Sequence, residues 1–156
     1  MKKTALILFV LFFIVNIDLS AQEDALQTPQ NFRNTERELP NEIKRKVTSF
    51  FKNISNNQIK IAYEDLLRNS PLGEKHAQIK SLQEETKRAI DIYGYLKSFE
   101  PVETLFATDS YIRAKYLGLH EDYPVRWIFT FYKAPENDWV VLNIKFDDNT
   151  HFYFEE

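Results

Sequence analysis

Apolar residues along the chain follow two regimes that change over near Ser98. Before that point they recur at steps of three and four. Leu39, Ile43, Val47, Phe50, Phe51 and Ile54 gather on one face of a helix. Thr35 and Glu38 stand at capping-box spacing and Pro40 suits a first turn, so this helix starts within 35–41. Asn53, Ser55, Asn56 and Asn57 close it. A second helix is predicted over about 57–69, with Ile59, Ala62, Tyr63, Leu66 and Leu67 inward. It breaks at Asn69-Ser70-Pro71, because proline disfavours helix at the residue before it. The third starts at Pro71 or Glu74 and runs to about Tyr93, with Ile79, Leu82, Thr86, Ala89, Ile90 and Tyr93 as its stripe and Gly94 near its end.

After Ser98 the pattern alternates and turns aromatic and β-branched, which predicts strands at about 101–108, 111–119, 125–133 and 139–146. Asp109-Ser110 and Ala134-Pro135-Glu136-Asn137 are turn sequences, and connections this short force antiparallel neighbours. Alternation points Ile112, Ala114 and Tyr116 inward in the second strand and Trp127, Phe129 and Phe131 inward in the third. In the fourth it points Val140, Leu142, Ile144 and Phe146 inward, with Asn143 and Lys145 out. In the first it favours Val102, Thr104 and Phe106 inward, a register in which Glu103 faces away. Helices first and an antiparallel sheet second predict an α+β domain over 35–156, with three helices covering one face of a curled four-stranded sheet.

The N-terminus has its own pattern. Lys2 and Lys3 precede an unbroken apolar run over 5–15, and Leu19-Ser20-Ala21 offers a small residue ahead of polar Gln22. This reads as a secretory signal peptide over 1–21, the run being short for a span of about 20 apolar residues and broken by Asn16 and Asp18. The expectation is export to a periplasm or the extracellular space, with no stable membrane anchor after cleavage. Residues 22–34 are polar, contain Pro29 and read as a flexible leader.

Composition narrows the function classes. With no cysteine among 156 residues, a disulfide scaffold and a thiolate metal site are both excluded. A net charge of −3 argues against nucleic-acid binding by bulk charge. Gly73, Gly94 and Gly118 are isolated, so no phosphate-cradling loop is present. His76, His120 and His151 lie far apart in sequence and read as surface residues, with no metal-ligand spacing. Lys44-Arg45-Lys46 reads as a solvated helix face. No cofactor and no metal are expected.

The element order, together with Pro124-Val125-Arg126-Trp127-Ile128-Phe129-Thr130-Phe131-Tyr132-Lys133, a turn, and Asp138-Trp139 through Phe146-Asp147-Asp148-Asn149, resembles the NTF2-like superfamily, in particular small exported bacterial proteins of unassigned function. The resemblance implies a sheet curled around a long helix with a conical cavity. The superfamily holds isomerases, dehydratases and cyclases beside non-enzymatic binding and dimerising modules, so fold alone chooses none of them.

Enzymes of this kind need a carboxylate or His–Asp pair in the cavity, and the predicted inward faces of the last three strands carry no Asp, Glu or His. Asp109, Asp138, Asp147 and Asp148 fall at strand ends. The leading expectation is therefore a non-catalytic domain that binds a small apolar ligand or a protein partner. Tyr63, Tyr93, Tyr116, Trp127 and Phe129 are its candidate ligand-pocket residues, although aromatic residues at such positions are often plain core. Arg126, Tyr132 and Trp139, on the opposite sheet face, are candidates for a homodimer interface. The alternative is an isomerase or hydro-lyase, with Glu103 or Asp91 as base and Tyr63 or Tyr93 donating to an oxyanion.

Overall fold

The computed structural model describes residues 37–135 and 138–154, residue 152 through its backbone alone. Three helices, α1 (Asn41–Ser55), α2 (Ile59–Leu66) and α3 (His76–Tyr93), are followed by strands β1 (Leu96–Thr108), β2 (Tyr111–His120), β3 (Pro124–Lys133) and β4 (Trp139–Asp147). Two 3-10 turns, Pro71–Glu74 and Thr150–Tyr153, complete the order. The strands form one open antiparallel sheet in the order β1-β2-β3-β4, and the helices pack against it. The chain is thus an α+β protein of the expected class. Among the described residues no helix is long and apolar enough to cross a membrane.

The α1 stripe buries as its spacing requires, while Ile59 of the α2 stripe and Ile79 and Tyr93 of the α3 stripe are only partly buried. Ile43, Val47, Phe51 and Ile54 are each 0% exposed and Phe50 1%. The breaks between helices use asparagine's tolerance of left-handed backbone: Asn57 has φ 58° and Asn69 φ 62°. Two boundaries differ from expectation. Pro71 opens a 3-10 turn rather than α3 itself, which begins at His76. β1 begins at Leu96, earlier than the alternation suggests. Thr35, half of the expected capping box, lies outside the described residues; the helix opens at Pro40 with no side-chain cap, and Lys44 bonds Glu38 at 3.0 Å.

In β2 and β3 the alternation holds: Ile112, Ala114, Tyr116, Trp127, Phe129 and Phe131 are all buried. Bulges alter the other two strands. In β1 Pro101 pairs with Tyr116 and Glu103 with Lys115, leaving Val102 as an extra residue that is 44% exposed instead of inward. Beyond it Thr104 and Phe106 share the inner face with Ala114 and Ile112, as expected.

β4 departs more. Asn143 pairs with Thr130 and Val141 with Phe131, so Leu142 bulges out and is 37% exposed. Ahead of this bulge the parity reverses. Val141 and Trp139 fall on the core side, and Val140, expected inward, pairs with Tyr132 on the outer side. Trp139 is consequently 4% exposed and part of the core, not an outer-face residue.

Candidate functional site

The aromatic residues expected to line a cavity converge, but around other rings. Phe50 stands edge-on to Tyr63 at 5.3 Å, to Trp127 at 5.4 Å and to Phe129 at 5.5 Å. Phe51 contacts Tyr116 at 5.7 Å and Trp127 at 5.7 Å. Two side chains of α1 therefore occupy the space between Tyr63 and the sheet. Such edge-to-face contacts add to the burial energy of each ring. Tyr116, Trp127 and Phe129 sit together here as members of a packed cluster. Tyr93 sits apart at the end of α3, its ring 5.6 Å from Tyr123 and its hydroxyl donating to Asp148 Oδ2 at 2.7 Å.

The hydroxyl of Tyr63 is committed within the protein. Thr86 donates to the Leu82 carbonyl at 2.7 Å, which leaves Thr86 Oγ1 to accept from Tyr63 at 2.8 Å. Burial pushes the Tyr63 phenol far above its ordinary value, against the weaker pull of the Thr86 bond. Tyr116 is pushed up to about 12 by the same desolvation.

The carboxylates named for catalysis do not meet these tyrosines. Glu103 is on the outer face, 2.5 Å from Lys115 Nζ. Asp91 is exposed on α3. Asp148 does bond Tyr93, on the exposed surface. Among the described residues no three His, Cys, Asp or Glu side chains gather as a metal site.

Two surface clefts flank the Asn69-Ser70-Pro71 link. The larger, about 840 Å³, runs between α2, the 3-10 turn and α3. Tyr63, Leu67, Pro71 and Ile79 supply its apolar lining, and Glu64, Asn69, Glu74, His76, Lys80 and Gln83 its polar one. The smaller, about 510 Å³, lies beside β4 and includes Lys46, Arg68, Tyr132, Trp139 and Leu142. Of the expected pocket residues only Tyr63 borders the larger cleft. Its other residues come from α2, the link and 3-10 turn, and the start of α3 and form no motif, so sequence spacing gave no signal for it.

Tyr132 and Trp139 meet at the smaller cleft. Arg126 is elsewhere on the sheet, forked onto Asp147 at 3.0 and 2.8 Å, with its guanidinium 6.0 Å from the Tyr153 ring. The three residues expected at one interface are therefore separated. His76 and His151 are exposed, as expected, but His120 is not. It is the last residue of β2, 8% exposed on the core face.

No family model, curated protein or solved structure matches this chain.

Proposed function

We propose that this chain is an exported, non-catalytic domain of the NTF2-like kind that binds a small amphipathic ligand in the cleft between α2 and α3. The observation that carries the reading is the contrast between interior and surface. Phe50 and Phe51 take up the space around Tyr63, Trp127 and Phe129, while a cleft of about 840 Å³ stays open outside it. That volume falls in the range of small-molecule sites, about 300–1,000 Å³. Its lining mixes apolar residues with hydrogen-bonding groups, which favours a ligand with an apolar body and polar handles.

Export is supported by the pattern over 1–21, and the superfamily by element order. The absence of catalysis is supported by the position of the carboxylates: Glu103 is paired with Lys115, Asp91 is exposed, and Asp148 meets Tyr93 on the exposed surface. Dimerisation through the outer sheet face has weaker support, since Trp139 is buried and Arg126 is tied to Asp147.

Native mass spectrometry of the processed chain, purified from the compartment to which its own host delivers it, tests the proposal. The expected result is a bound mass of a few hundred daltons that leaves on denaturation and is lost in an Ile79→Lys/Gln83→Trp variant. A bare chain, or a bound mass unaffected by that variant, would overturn the cleft assignment.

A further inference from the structure

The end of α3 is joined to the turn between β2 and β3 by a compact set of polar contacts. Gly94 ends the helix at φ 79°. A Cβ at this position would lie 2.6 Å from Glu121 Cβ and Oε2, so glycine alone lets the turn close over the helix end. Asp122 N–H donates to the Tyr93 carbonyl at 2.9 Å, and Tyr95 N–H donates to Glu121 Oε2 at 2.9 Å. Lys97 Nζ holds the other Glu121 oxygen at 2.6 Å. Behind these contacts His120 Nδ1 lies 2.7 Å from the Gly94 carbonyl.

A carbonyl only accepts, so Nδ1 carries the proton and donates, and in the neutral ring Nε2 is left with a lone pair. Nε2 is buried and has no hydrogen-bond partner. The ring fits this joint in its neutral form. Protonation would place an N–H donor with positive charge where nothing accepts it, a situation that costs free energy unless the ring reaches water.

We propose that His120 is an acid-release latch: protonation of its imidazole swings the ring out and unfastens the end of α3 from the β2–β3 turn. The other titratable groups at the joint do not compete in the same pH window. Glu121 is held below its usual range by Lys97 and by the Tyr95 amide, so it stays ionised while His120 titrates. Tyr93, bonded to Asp148, has its phenol raised by that bond and stays neutral. Tyr95, Tyr123, Lys97 and Asp122 are the remaining ionisable side chains at the joint.

Burial lowers the His120 pKa, and the Gly94 bond, which favours the charged ring, only partly offsets it. The sign follows from a folded pKa below the unfolded one. The joint is fully closed above about pH 6.5 and loosens as pH falls from there toward the folded value, because the open state takes up the proton first. The latch lies at the opposite end of α3 from the cleft and needs no ligand, so it stands independently of the binding reading.

The test is amide hydrogen exchange at Tyr95 and Asp122 between pH 7.5 and 5, each rate corrected for its intrinsic pH dependence. Protection is expected to fall by up to about tenfold per pH unit below about pH 6.5. His120→Gln, which keeps an N–H for the Gly94 carbonyl but cannot ionise, should give a flat profile, and a His76→Asn/His151→Asn control should keep the slope. A flat profile in the wild type, or an unchanged slope in His120→Gln, would overturn the latch. Should His120→Gln fail to fold, NMR titration of the wild-type His120 ring decides: a pKa below about 6.5 supports the latch and one at or above that value overturns it.

Discussion

Ser70 Oγ accepts a hydrogen bond from the backbone N–H of Val141 at 2.8 Å, across 71 residues of chain. β4 is an edge strand, and this N–H points away from β3 to the link between α2 and the 3-10 turn. Ser70 is only 5% exposed, so water cannot readily replace it. The link thereby covers an edge that would otherwise offer an unpaired donor. Ser70→Ala should lower stability by about 1–3 kcal/mol, the cost of an unsatisfied buried amide, read as a lower urea midpoint at unchanged slope.

The helix-to-sheet core depends on Phe50 most directly, since its ring touches Phe51, Tyr63, Trp127 and Phe129. Phe50→Ala should cost about 3–5 kcal/mol, whereas truncating Ile61, 45% exposed on α2, should change stability by about 0.5 kcal/mol or less. Urea melts of the two variants check the contrast.

Gly118 is required by space rather than by backbone conformation. A Cβ there would stand 3.0 Å from Trp127 Nε1 and 3.1 Å from Leu96 Cδ1. Both neighbours are buried, so Gly118→Ala should destabilise by about 1–3 kcal/mol through overpacking. Trp127 fluorescence during denaturation would report it.

Much of this arrangement is legible in the sequence, and the failures have physical causes. The stripe from Ile43 to Ile54 and the alternation in β2 and β3 survive intact, because each face is buried along its whole length. The bulge at Leu142 is invisible to alternation, because one extra residue reverses the parity of everything ahead of it, and the neighbouring Val141 amide bonds Ser70, a partner far away in sequence. His120 reads as a loop residue until the register shows β2 extending to it opposite Leu96. Tyr63, Tyr116, Trp127 and Phe129 do gather while Tyr93 lies apart, and α1's Phe50 and Phe51 fill the space between them that a cavity would need.

Buried phenols give an alkaline prediction. Tyr116 ionises at about 12 in the folded protein, and Tyr63 is raised further, both by desolvation. An unfolded tyrosine ionises near about 10. The folded chain therefore retains protons that the unfolded chain has lost, and stability falls as pH rises from about 10 toward 12. Urea midpoints should decline over that window, with Tyr116→Phe flattening part of the decline.

The most direct test of the binding account compares amide spectra of the protein as purified from its own host and of the same protein after denaturation and refolding to strip any bound molecule. The account predicts shifts confined to residues around 64–83, with the Trp127 indole and the Phe129 amide unmoved. Shifts centred on Tyr116, Trp127 and Phe129 would contradict it, because they would place the ligand inside the cluster that Phe50 and Phe51 occupy.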